Sequence, residues 1–260
     1  AELVGSSVLK APPPDHATGL FLLQNIFGVW PTDGVVTDEL RRRLHAYAEK
    51  AIREAAVLTS WNDPDSGFEG AVHAWLDTVM DGPVATELTS LVARLDKHAR
   101  NDALGQKLLA LTAPGVPDVY QGTELWEDSL VDPDNRRPVD YLARRNALAT
   151  MGHPKMLVTS SALRLRRRRP ASFTAGSYTP LLAQGRARDH IVAFGRGAEV
   201  IVAVTRWTVR LAEQGWGETV LPLPEGKWHD WITGQRVSGS VNAADLFANM
   251  PVALLERLDD

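Results

Sequence analysis

No cysteine occurs among the 260 residues. That excludes a disulfide scaffold, a zinc–thiolate site and a thiol nucleophile. An excess of one charge is missing too: 28 Lys and Arg stand against 32 Asp and Glu, a formal net charge of −4. This balance gives no electrostatic case for a nucleic-acid partner. No apolar run reaches the roughly 20 residues of a membrane span. The opening AELVGSSVLK has no basic stretch leading into a long apolar core, so it is not expected to be a signal peptide. The first residue is not Met, which admits a processed, nicked or truncated piece of something longer. There is no Gly-x-Ser-x-Gly elbow and no P-loop. The seven histidines (16, 45, 73, 98, 153, 190 and 229) are scattered without metal-ligand spacing. Neither a metal nor a cofactor is expected.

What is present is a folded chain, 44% hydrophobic and 23% charged, long enough for one large or two ordinary domains. A cytoplasmic setting fits it. Its character changes near residue 171. Before that, helical patterns dominate. GLFLLQNIFGVWP (19–31) is apolar and stops at Pro31. Thr37 or Asp38 is placed to cap a helix with apolar residues at 40, 44, 47, 48, 51, 52, 55 and 58, a 3.6-residue spacing. NDPDSG (62–67) breaks it. Further helices are expected over about 68–80 and 84–98, and QKLLALTA (106–113) reads as a buried helix running into a buried strand. After residue 171, HIVAFGRG and AEVIVAVTRW read as two strands joined at a glycine turn, and ETVLPLP, KWHDWITG and GQRVSGSV continue an antiparallel pattern. Many short strands without long helices suggest a small sandwich or barrel.

The most unusual stretch is LVDPDNRRPVDY (130–141), in which Pro133 and Pro138 stiffen a segment crowded with Asp132, Asp134, Arg136, Arg137 and Asp140. It follows PGVPDVYQGTE, where Pro114 and Pro117 forbid a continuing helix. Apolar strand, long polar loop and helix make a β–loop–α unit, and in (β/α)8 barrels such loops build the active site. Carboxylates, arginines and a tyrosine suit a ligand rich in hydroxyls: Asp and Glu accept, Arg donates two parallel bonds, and Tyr offers an apolar face with a polar tip. A calcium loop is excluded, because its fifth and sixth positions would be Arg136 and Arg137.

GVPDVYQGTE resembles the Gly-x-Pro-x-x-Tyr-x-Gly-x-Glu segment at the last barrel strand of the α-amylase superfamily, glycoside hydrolase family 13. DPDNRRPVDY narrows the resemblance to the maltooligosyltrehalose synthase family, the (1→4)-α-D-glucan 1-α-D-glucosylmutases. LLQNIFGVWP is similar to a Tyr-Gln-x-Leu-x-Gly-x-Trp-Pro stretch of that family, with Leu23 where Tyr is often found. KAIREAAVLTSWNDPDSGFEGAV is similar to another, with Phe68 in place of Tyr, and HIVAFGRGAEVIVAVTRW, WGETVLPLPEGKWHDWITG and PVALLER resemble its terminal β domain.

The resemblance implies the C-terminal part of a (β/α)8 barrel with extra helices, then an antiparallel β-sandwich. The expected division is a helical segment over 1–100, the last barrel strand with its loop and following helices over 101–170, and the β domain over 171–260. It also implies a retaining intramolecular transglycosylase that turns the reducing-end α-1,4 bond of a maltooligosaccharide into an α,α-1,1 bond. In family order, the nucleophilic Asp, the acid/base Glu and the third Asp all precede this chain. No catalytic residue is therefore expected here, and the N-terminal portion of the same enzyme is the expected partner. Candidate substrate-binding residues are Tyr120, Gln121, Glu124, Asp132, Asn135, Arg136 and Arg137. For Tyr120, Gln121 and Glu124 the alternative is loop bracing. For Arg136 and Arg137 it is pairing with carboxylates of barrel strands outside the chain. A related hydrolase or branching enzyme is the competing activity, and a non-catalytic carbohydrate-binding module the competing class.

Two features have plainer readings. LRLRRRR (163–169) reads as a helix C-terminus, where arginines suit the dipole, stopped by Pro170. Trp216, Trp228 and Trp231 are expected in the β core, with Trp126 the better candidate for a sugar platform.

Overall fold

A computed structural model describes residues 15–258; the opening AELVGSSVLK lies outside them. The described residues form two compact units, one made of 15–96 with 128–138, the other of 97–127 with 139–258.

The first unit is helical. α1 (His16–Val29) is capped by the Asp15 side chain, which accepts from the N–H groups of Ala17 and Thr18. α2 (Asp38–Ala55) is capped by Thr37 and carries Asp38 and Glu39 in its first turn and Arg53 in its last, the charge order its dipole favours. It ends at Ala56, whose φ of 51° is left-handed. The periodic positions Leu40, Leu44, Tyr47, Ala48 and Ile52 are buried, whereas Leu58 lies beyond the helix and is exposed. α3 (Ser66–Asp81), capped by Asp65, buries Val72, Trp75, Leu76 and Val79 against the same core, each fully. Burying one such side chain stabilises by about 1.5–3 kcal/mol, so this cluster is what holds three otherwise marginal helices together.

α4 (Pro83–Thr112) begins in this unit and ends in the second. There it is followed by α5 (Tyr141–Thr150), α6 (Pro154–Arg168) and α7 (Pro170–Thr174). The sheet comprises β1 (Tyr178–Leu181), β2 (Ile191–Arg196), β3 (Val200–Thr205), β4 (Val220–Asp230), β5 (Arg236–Asn242) and β6 (Val252–Arg257), all antiparallel, in the order β1-β2-β3-β6-β4-β5. Two short helices, α8 (Thr208–Gln214) and α9 (Ala243–Leu246), interrupt it. Gly197 makes the β2–β3 turn with φ of 57°, which disfavours a side chain. β3 and β6 are buried on both faces. Val200, Val202, Val204, Val252 and Leu254 meet Leu104, Leu108 and Leu111 of α4 and Val158, Ala162 and Leu165 of α6. Ile201, Ala203, Ala253 and Leu255 face Leu221, Trp228 and Val241. Gly105 has no side chain between α4 and Val204; a Cβ there would already touch it at 3.6 Å.

Two expectations are corrected. QKLLALTA does not run into a strand: it is the end of α4, and residues 113–140 contain no strand. A strand needs a neighbour to complete its ladder, and no extended partner precedes Tyr178 among the described residues. The β part is also not a two-sheet sandwich. One ladder joins all six strands, and the isolated pairing of Gln184 with Val220 brings the β1 side round to β4, giving a half-barrel that packs its inner face on itself.

The arginine run does end α6, and its work is internal to the second unit. Arg166 donates to the carbonyl of Leu111 in the last turn of α4, at 2.9 Å. Arg168 and Arg169 converge on buried Glu256, at 2.8 and 2.6 Å. Trp228 is buried, Trp231 packs on the core and donates to Glu256, and Trp216 stacks on Phe247 with centroids 5.4 Å apart. Among the described residues no helix is long and apolar enough to cross a membrane, and no group of three His, Asp or Glu side chains is placed to hold a metal ion.

Candidate functional site

The charged loop is built around Asp134, which opens a single 3-10 turn (Asp134–Arg136) after the cis Asp132–Pro133 bond. Its carboxylate is buried and fully used. Arg43 of α2 donates from Nε to Oδ1 and from Nη2 to Oδ2, both at 2.8 Å, and the N–H of Leu130 donates to Oδ2 at 2.8 Å. Arg43 Nη2 also reaches the carbonyl of Asp128 at 2.7 Å. Burial acts to raise the Asp134 carboxyl. The bonds from Arg43 and Leu130, with the charges of Arg43 and Arg137, outweigh it and hold the group below its ordinary value.

Arg137 belongs to the same clamp. It donates to the carbonyl of Asp134 at 3.1 Å and to Ser129 Oγ at 2.8 Å, and pairs with Glu39 of α2 at 3.4 Å. Arg136 differs: its side chain is 70% exposed and pairs with Asp132, four residues earlier. Asn135 is half-buried, and its Oδ1 has no hydrogen-bond partner. The loop thus splits into an inner pair, Asp134 and Arg137, that fixes it to α2, and an outer set, Asp132, Asn135 and Arg136, that makes no hydrogen bond to α2 among the described residues and of which Arg136 is the most exposed.

Beside the loop, Arg42, Arg43, Arg137, Glu39, Tyr47 and Pro133 wall a cavity of about 350 Å³. Three guanidinium groups against the carboxylates of Glu39 and Asp134 leave it one positive charge in excess. Such a wall can donate to hydroxyls or to an anion. A larger cavity in this unit, about 500 Å³, is lined mainly by apolar groups such as Phe21, Ile52, Leu58 and Phe68 and lacks the convergent polar groups a sugar needs.

Tyr120, Gln121 and Glu124 lie in the second unit. The Tyr120 carbonyl takes the N–H and Oγ1 of Thr123, at 3.2 and 2.7 Å, while its side chain is exposed. Gln121 Oε1 accepts from the Tyr141 hydroxyl at 3.4 Å. Lys107 of α4 donates to Thr123 at 3.3 Å; burial pulls its ammonium below the ordinary value, against the charges of Glu124 and Asp118. Arg144 ties the Gly122 carbonyl at 2.8 Å, and a Cβ on Gly122, whose φ is 87°, would press on Arg144 and Val139 at 3.3 Å. Trp126 is half-buried, with His153, Arg100 and Lys155 about its ring.

Sequence reasoning missed Arg43, Glu39 and Arg144. α2 showed only an arginine triplet on its polar face; nothing local marks which of the three turns to a carboxylate 91 residues away.

No family model matches the chain. A putative maltooligosyl trehalose synthase of Mycobacterium tuberculosis is 62% identical over 99% of this chain and 34% of its own length. The solved maltooligosyltrehalose synthase of Arthrobacter ramosus is 41% identical, with a TM-score of 0.85 over 96% of this chain and 33% of that one. A hypothetical maltooligosyl trehalose synthase of Sulfolobus tokodaii is 27% identical, with a TM-score of 0.72 over 92% of this chain and 32% of that one. The chain spans about a third of the length of the relatives it matches. Along nearly its whole length it is similar to the C-terminal part of maltooligosyltrehalose synthases.

Proposed function

We propose that this chain is the C-terminal portion of an intramolecular transglycosylase that converts the reducing-end α-1,4 bond of a maltooligosaccharide into an α,α-1,1 bond, giving maltooligosyltrehalose. The observation that carries this reading is the 62% identity over 99% of the chain to a putative maltooligosyl trehalose synthase. In this reading the residues after α4 adjoin a (β/α)8 barrel, and the N-terminal portion of the enzyme, in the same cytoplasmic setting, supplies the nucleophilic Asp, the acid/base Glu and the third Asp. A retaining pair of carboxyls works at about 5–5.5 Å. The glycosyl–enzyme bond forms as the α-1,4 bond breaks. The released glucose, which took the acid/base Glu's proton on leaving, then turns; its anomeric hydroxyl returns a proton to that Glu and attacks the anomeric carbon, breaking the glycosyl–enzyme bond and freeing the Asp before water can do so.

This chain's part is to hold sugar and exclude solvent. Asp132, Asn135 and Arg136 are the first unit's candidate sugar contacts, on a loop that Arg137 holds; Tyr120, Gln121 and Glu124 are, separately, those of the second unit. The isolated chain is inactive. The test is complementation with the N-terminal part of the Mycobacterium tuberculosis relative. Formation of a non-reducing product from maltopentaose supports the proposal; net hydrolysis points to a related hydrolase instead.

A further inference from the structure

In the first unit α2 and α3 are joined by a run of alternating charges. Arg41 pairs with Asp77 and Asp81, at 2.6 and 2.5 Å. Arg53 pairs with Glu49 and Glu69, at 2.6 and 2.7 Å. At the middle of this run two histidines meet across the helices. His45 Nδ1 lies 2.7 Å from His73 Nδ1, with ring centroids 4.9 Å apart. His45 Nε2 lies 3.0 Å from Asp77 Oδ1, and His73 Nε2 lies 4.0 Å from Glu49 Oε2. Their side chains are 22% and 34% exposed, so both can exchange protons with water.

These contacts fix where the protons sit. Burial acts to raise the Asp77 carboxyl, but the bonds and charges of His45 and Arg41 outweigh it and hold the group below its ordinary value. A carboxylate only accepts, so His45 Nε2 carries a proton and donates it to Asp77. Two ring nitrogens at 2.7 Å share one proton: one donates, and the other must offer its lone pair. The closed pair therefore holds at most one positive charge, with the His73 Nε2 proton turned toward Glu49. A second charge would set N–H against N–H between two cations, and the bond would break.

α2 also carries Arg43, whose fork to Asp134 seats the charged loop on this helix. We propose that the His45–His73 bond is a proton-operated latch. It holds α2 on α3 while at most one imidazole is charged, and it opens when both are, loosening the loop that Arg43 anchors. The charges facing it are Arg41, Glu49 and Arg53 of α2 and Glu69, Asp77 and Asp81 of α3. Carboxylates outnumber guanidinium groups in that set, which draws protons in; the bond between the rings opposes only the second. The latch does not depend on the function proposed above.

The test is NMR of the whole isotope-labelled chain from about pH 8 to about pH 5, the range in which histidine changes charge. At the upper end one of the two Nδ1 atoms is expected to carry a proton and the other none; at the lower end both carry one. Exchange protection of the α2 amides is expected to fall roughly tenfold across the range, the loss of one hydrogen bond to a charged group. The Leu130 N–H, which donates to Asp134, should lose protection with them. His73→Asn keeps a donor toward His45 Nδ1, can turn its amide oxygen there instead, and never becomes a cation, so it should hold protection flat. His16→Gln, at an exposed position at the start of α1, should leave the wild-type fall intact. The inference is overturned if both Nδ1 atoms, or neither, carry a proton at the upper end. It is equally overturned if protection does not fall in the wild type, if it falls as far in His73→Asn, or if His16→Gln removes the fall. A fall that spares Leu130 overturns the link to the loop.

Discussion

Arg43 holds Asp134 by both oxygens, Nε to Oδ1 and Nη2 to Oδ2, each at 2.8 Å, with side chains 17% and 6% exposed. This fork joins α2 to the charged loop. Removing one partner of such a pair leaves an uncompensated buried charge, which costs about 3–5 kcal/mol. Arg43→Ala is therefore expected to lower the unfolding free energy by roughly 3 kcal/mol in denaturant titration. Arg43→Lys should recover only part, because a point ammonium cannot span both oxygens.

Arg136 and Arg137 are neighbours with opposite expected phenotypes. Arg137 is bonded inward to Ser129, the Asp134 carbonyl and Glu39, so Arg137→Ala should destabilise the chain by about 1–2 kcal/mol. Arg136, 70% exposed, should be neutral to stability within about 0.5 kcal/mol. In the complemented enzyme, Arg136→Ala should lower kcat/KM on maltopentaose about tenfold or more, the loss of one charge-assisted sugar contact. Thermal melts and initial rates on the two variants check both.

The Glu69 carboxyl, bound by Arg53 at 2.8 and 2.7 Å and by Thr59 at 2.6 Å, is lowered from 4.5 to about 2 by those partners. A depressed folded value means that the unfolded chain takes up the proton first. The stability from this group is whole above about 4.5 and is lost as the pH falls toward about 2. Glu69→Gln should flatten that part of the pH–stability curve, measured by urea unfolding.

His153 accepts the Lys155 N–H through Nδ1 at the start of α6, which requires that nitrogen unprotonated. Burial first, then the charges of Lys155, Arg100 and Arg144, push its imidazole below 6.5. Stability from this group is present above 6.5 and declines as the pH falls through its lowered folded value. His153→Asn keeps a capping oxygen and should remove the slope below 6.5, read from melting temperature against pH.

How much of this was legible in the sequence varies with the range of the forces involved. α2 was, because Leu40, Leu44, Tyr47, Ala48 and Ile52 repeat on one face and Thr37 caps it. The β2–β3 hairpin was, because VIVAV is too apolar for a surface and Gly197 marks its turn. α4 was not seen whole, because the polar stretch ARNDALGQ and Gly105 hid its continuity; only β3 explains that glycine, by its closeness to Val204. The half-barrel was hidden because strand order is set by long-range pairing such as β3 with β6. In the loop, crowding of charge was visible but its division was not. Which arginine turns inward depends on α2, far away in the sequence.

If this chain completes an enzyme that rearranges a glucan without hydrolysing it, as proposed, the substrate's reducing ends are consumed and none are created. The most direct measurement mixes the chain with the N-terminal part of the Mycobacterium tuberculosis relative and follows reducing ends during incubation with maltopentaose. Reducing ends should disappear while the oligosaccharide keeps its length, and neither piece alone should act. A rise in reducing ends, or an N-terminal part equally active without this chain, would contradict it.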